Sequence, residues 1–179
     1  MNEYKNTMLI SPKRVKESGQ LNLNVDEGVI GAAIRTAQEV YMTDIVGDDL
    51  VEKLQELVYN KIKGLSNTID DPENVAYKTL LEEYFTPALI SKTVVETAIR
   101  ISLKIRNMGV VQNSDGMNVQ KASLDDIKYL QSYEETSFNH YLNRMVEFLC
   151  QNKAAIPESK FNCGCKPTQK YANVNLWLG

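Results

Sequence analysis

Apolar residues recur at helical spacing along most of the chain, and a strand-like pattern is confined to one short stretch. Ile30, Ala33, Ile34, Ala37, Val40 and Tyr41 form the first sustained stripe. Asn24, with Glu27 three residues on, predicts the cap and capping box of that helix. Gly28, Gly31, Ala32 and Ala33 keep one side small, so a second helix can approach closely, at some cost in propensity. Upstream, Ser11-Pro12 predicts a short helical turn through Lys16, since proline is tolerated in a first turn. Met42 to Gly47 reads as a turn, after which Asp48 or Asp49 caps a second helix. Its stripe is Leu50, Leu54, Leu57 and Val58, and Gly64 suits its C-terminal cap.

A polar loop, 65–71, leads to Asp71-Pro72, read as cap and first helical residue. The third helix runs to about Thr86 with Val75, Leu80, Leu81 and Tyr84. Pro87 cannot donate to the helical ladder, so a kink or break is expected there. A fourth helix, Ala88 to about Arg106, carries Leu89, Val94, Val95, Ile99, Ile101, Leu103 and Ile105 and is apolar on much of its circumference, which marks it as central. Gly109 ends it. Val110 to Ala122 then reads as a hairpin, with Val110 and Val111 on the first strand and a turn at Asn113-Ser114-Asp115-Gly116. Ser123 with Asp126 opens the last helix, which Ile127, Leu130, Phe138, Tyr141, Leu142, Met145, Val146 and Leu149 carry to about Cys150.

From Lys153 onward the periodicity stops. The pattern predicts a mostly α protein: a small bundle of four to five helices, a short β-hairpin before the last helix, and an extended C-terminal tail. It divides into an N-terminal arm (1–23), a helical domain (24–152) and the tail (153–179).

Composition narrows the function classes. At 179 residues, 43% hydrophobic and 24% charged, the chain fits one globular domain with terminal extensions. A net charge of −3 and a pI near 5.3 supply no global basic field for holding nucleic acid. No apolar run reaches the length of a membrane span, and the first residues lack the apolar core of a signal peptide. Three cysteines are an odd number for a disulfide scaffold, which points to assembly in a cytoplasm.

Candidate chemistry is sparse. Cys163-Gly164-Cys165, with Cys150 and the lone His140, falls short of the four ligands in the spacing that structural zinc favours. Two small thiols in a docking tail account for the same residues, and no metal or other cofactor is expected. His140 has no nucleophile motif to serve. The pairs Asp48-Asp49, Asp70-Asp71 and Asp125-Asp126 each fall at a helix start, where negative charge complements the dipole. Lys13, Arg14 and Lys16 form the densest basic group. Arg100, Lys104 and Arg106 recur along one side of the fourth helix, as solvated face residues or as the lining of a DNA passage. The tail ends in Leu176-Trp177-Leu178, and a lone tryptophan there reads as an interface anchor.

Three segments carry a resemblance: A-A-I-R-T-A-Q-E-V-Y-M-T-D-I-V-G-D-D-L (Ala32–Leu50), Y-K-T-L-L-E-E-Y-F-T-P-A-L (Tyr77–Leu89) and N-M-G-V (Asn107–Val110). They resemble the head–tail connector (adaptor, or head-completion) proteins of Bacteroides and crAss-like tailed bacteriophages, over about Asn24 to Cys150. The resemblance implies a subunit of a homo-oligomeric ring, typically twelve copies, seated between portal protein and tail. Such a ring extends the DNA channel and docks the next ring or tail protein. It implies a virion location after assembly in the host cytoplasm, no membrane partner and no catalytic residues. Val110, Val111, Asn113, Asp115, Gly116, Leu176, Trp177 and Leu178 are then the expected protein contacts. The alternatives are a bacterial helical adaptor or regulator binding a single partner and, further off, a metal-dependent enzyme using the tail cysteines.

Overall fold

Ser11 opens the first helix, α1 (Pro12–Glu17), as its sequence predicts: Ser11 Oγ accepts the Arg14 N–H at 3.2 Å, and Pro12 occupies the first turn. The computed structural model describes residues 3–18, 21, 24–106, 109–112 and 124–161. The second helix, α2, comprises Glu27–Thr36, a wide turn over Ala37–Met42, and Thr43–Val46. Its cap is Asp26 instead of Asn24. Asp26 Oδ1 accepts from the N–H groups of Gly28 at 2.8 Å and Val29 at 3.1 Å, so the expected Asn24–Glu27 box gives way to a nearer carboxylate.

The turn expected at 42–47 is absent, because the helix continues to Val46 and ends only at Gly47, with φ of 96°. In the wide turn the Thr43 N–H bonds to the carbonyl of Gln38, five residues back. One extra residue rotates everything downstream by about 100°. Met42, Ile45 and Val46 therefore enter the core, while Val40, which helical spacing placed on the stripe, is 57% exposed.

Gly47 also precedes α3 (Asp48–Lys63), so neither Asp48 nor Asp49 is its cap; both lie in the first turn, near the positive end of the dipole. Leu50, Leu54 and Leu57 are buried, and Gly64, left-handed at φ 67°, closes the helix. A 3₁₀ turn (Pro72–Asn74) leads into α4, which comprises Val75–Thr79, a second wide turn over Leu80–Phe85, and Thr86–Ser102. Pro87 does not break it. The Thr86 N–H bonds five residues back to Leu81, so the ladder is already widened immediately before the residue that has no N–H to offer.

α4 ends at Ser102, earlier than expected, and the backbone changes to an antiparallel strand pair, β1 (Leu103–Arg106) and β2 (Gly109–Gln112). Leu103 lies opposite Gln112 and Arg106 opposite Gly109. The expected hairpin, with Val110 and Val111 paired forward across Asn113–Gly116, is not supported: the β2 backbone pairs backward instead, and residues 113–123 lie outside the described residues. The last helix, α5, runs from Leu124 to Gln151.

The described residues form a mostly helical bundle of five helices. α4 is central, packed against α2 on one side and α5 on the other. Ile30, Ile34, Met42, Leu50, Leu54, Leu80, Phe85, Leu89, Met145 and Leu149 fill the core between them. Both ends of the described chain join it. Leu9, Ile10 and Val15 from the arm are buried, and so is Ile156, past the point where periodicity stops. The segment drawn as a tail thus stays on the domain as far as Phe161.

Candidate functional site

Two buried glutamines fasten the arm. Gln38 Oε1 accepts from the Leu9 N–H at 2.9 Å, while Gln55 Nε2 donates to the carbonyls of Lys5 and Thr7 at 2.8 and 3.1 Å. Each polar side chain is satisfied by the backbone of an otherwise irregular segment, which is how a polar group becomes affordable in a core. Docking the arm forms one wall of a groove of about 600 Å³. Leu9 and Ile10 face Val58 and Ile62 of α3, Ile69 of the following loop, and Leu81 of α4, with Arg14, Lys61 and Glu82 at the rim. Ile62 is 68% exposed although it borders an apolar floor.

A polar seam joins α2, α4 and α5. Lys92 lies 5.1 Å from the Tyr41 ring centroid and 4.4 Å from that of Phe138. Burial holds its ammonium below the usual lysine range, partly offset by Glu135 and Glu96. Tyr41 donates its hydroxyl to Glu96 Oε1 at 3.0 Å, and burial foremost, with Glu96 beside it, pushes the phenol up to about 12. Arg100 Nη2 bonds to Thr36 Oγ1 at 2.7 Å and lies 3.6 Å from Glu96. Lys104 and Arg106 fall in β1, beyond the end of α4, so the basic stripe expected along one helix does not form there. These groups brace one helix against the next. On the outer surface Asp70 accepts from both Lys61 and Lys78 at 2.8 Å, which holds its carboxyl down at about 2 and ties α3 to α4.

A separate apolar surface lies at the strand end of the bundle. Tyr129 is 75% exposed and Tyr133, one turn later on α5, is 59% exposed; Ile101 is exposed on the last turn of α4. Lys92 meets Phe138 while Tyr84, earlier on α4, stacks on Phe148, later on α5, so the two helices run antiparallel and these residues share an end of the pair. Leu65 and Val75, also exposed, lie by the loop joining α3 to α4.

Of the residues singled out in the sequence, the backbone of Val110 and Val111 lies in β2. Asn113, Asp115, Gly116, Cys163, Cys165, Leu176, Trp177 and Leu178 lie outside the described residues. His140 is exposed and meets Tyr141 edge-on at 5.3 Å, and Cys150 is half-buried near the end of α5. Among the described residues no group of His, Cys, Asp and Glu could hold a metal ion, and no helix is long and apolar enough to cross a membrane. The glutamine clasps and the groove escaped sequence reasoning, because the partners of Gln38 and Gln55 are backbone atoms about 30 to 50 positions away.

The architecture is that of an α-helical domain with separate exposed apolar surfaces. Over residues 42–169 the chain matches, and so belongs to, the family of unknown function DUF6712. No curated protein and no solved structure matches it.

Proposed function

We propose that this protein is a structural subunit of a tailed-phage virion, forming a homo-oligomeric ring between portal and tail that extends the DNA channel and docks the next tail component. The observation that carries the reading is the exposed Tyr129–Tyr133 surface on α5, with Ile101 beside it at the same end of the bundle. Aromatic side chains left in water one turn apart match the composition of protein–protein anchors. The other exposed pair, Leu65 and Val75, belongs to the opposite end of α4: Val75 and Ile101 are 26 residues apart, about 39 Å of helix. Head-to-tail rings need two different contact surfaces on each subunit, and this domain has two ends to offer.

The connector resemblance supplies the choice of ring and of portal and tail as neighbours. The strand pair, which directly follows α4, is proposed as a continuation of the tyrosine surface, together with Asn113, Asp115 and Gly116 of the segment after it in sequence. Tyr129→Ser with Tyr133→Ser tests the assignment. The double variant keeps the melting temperature of the parent and loses the multimer, alone or on portal; an unchanged multimer assigns the surface no role in assembly.

A further inference from the structure

The groove between the arm and α3–α4 has an apolar floor, an exposed apolar lip at Ile62 and a charged rim. Its volume, about 600 Å³, falls within the range of sites that enclose a compact ligand. We infer that its occupant is the Leu176-Trp177-Leu178 segment of the same chain. Three observations carry this.

The described chain ends within reach of the groove. Beyond α5 it returns over its own domain: Ile156 is in the core, Glu158 accepts from Tyr77 on α4, and Phe161 packs against the core's edge. Lys160 donates to the Asp44 carbonyl and lies against Gly47 at the start of α3, and the groove residues Val58 and Ile62 are eleven and fifteen residues along that helix from Gly47, about 17–22 Å.

The tether has the right length. Phe161 to Trp177 is sixteen residues, and a generic linker of that length has a root-mean-square span of about 20–24 Å. A tether comparable in length to the gap it must cross gives an effective concentration on the order of millimolar, so a modest apolar contact fills the groove of its own chain before that of another.

The chemistry is complementary. Leucine and tryptophan side chains match the Leu9, Ile10, Ile69 and Leu81 floor, and an indole N–H requires an acceptor, which the rim provides in Glu82.

The docking stands whether or not rings form. Trp177 is the chain's single tryptophan, so its fluorescence reports this segment alone. In dilute, monomeric full-length protein the emission is expected to be blue-shifted and protected from acrylamide. Ile62→Glu, at an exposed position that the fold does not need, shifts the emission to the red and raises quenching several-fold. Val40→Glu, equally exposed and outside the groove, leaves both unchanged. Free quenching of Trp177 in the parent, or protection indifferent to Ile62→Glu, overturns the inference. Protection that disappears on dilution also overturns it, by placing the segment on another copy.

Discussion

Tyr77 donates its hydroxyl to Glu158 Oε2 at 2.5 Å, joining the helix that carries the core to a segment 81 positions later that has no periodicity of its own. Two residues earlier on that segment, Ile156 is fully buried. Irregular chain is held here by one side chain in the core and one at its edge, as the arm is held by Leu9 and Gln38 at the other end of the sequence.

Ile156→Ala should therefore cost about 2–5 kcal/mol, the range for a large-to-small change in a core. Urea denaturation with far-ultraviolet circular dichroism reads the effect. A chain stopped after Phe161 keeps native helix content, whereas one stopped after Asn152 loses the Ile156 contribution in full. Parental stability in Ile156→Ala would contradict the placement of this segment on the domain.

Gly47→Ala should destabilise by about 1–3 kcal/mol. Gly47 has φ of 96° and ψ of 154°, a conformation that a Cβ strongly disfavours, and it separates two helices that would otherwise run together. Only the Lys160 side chain lies near the added carbon, at 3.5 Å, so the loss reports backbone strain and not a clash. Equal midpoints in denaturant for variant and parent would refute it.

Alkaline pH should weaken the fold through two buried phenols. The phenols of Tyr41 and Tyr77 are both raised by burial first, then by the carboxylates of Glu96 and Glu158. Their contribution is complete below the unfolded value near 10 and is lost as pH rises toward the folded values, about 12 for Tyr41. Between those limits the native state holds protons that the unfolded state has released, so unfolding becomes more favourable. Tyr41→Phe with Tyr77→Phe flattens that part of the stability profile. Asp70, held at about 2 by Lys61 and Lys78, acts in the other direction: its contribution is present above the usual carboxylate value and is lost as acid takes the pH through its own.

Much of the bundle is legible in the sequence because its signals are local. Ser11-Pro12 caps α1, Gly64 closes α3, and the stripes Leu50–Leu54–Leu57 and Phe138–Leu142–Met145–Leu149 point inward as spacing predicts. The failures are non-local. A wide turn has no residue signature, so regular spacing puts Val40 on the wrong face and reads Met42–Val46 as part of a turn. Pro87 is a strong breaker in an α-helix, but the widened turn before it removes the conflict. Asp115-Gly116 outweighed the backward pairing of Gly109–Gln112, since a turn signal says nothing about which strand is the partner. Of the contact surfaces, Tyr129 and Tyr133 could have been noticed as aromatics one turn apart on a polar face. The groove could not, because it exists only once the arm, α3 and α4 meet.

Quantifying this chain in purified particles and imaging where it lies tests whether it is a ring subunit of the virion. Several copies per particle are expected, confined to the portal vertex between portal and tail. Its presence in infected-cell lysate alone, with none in purified particles, would exclude a ring subunit.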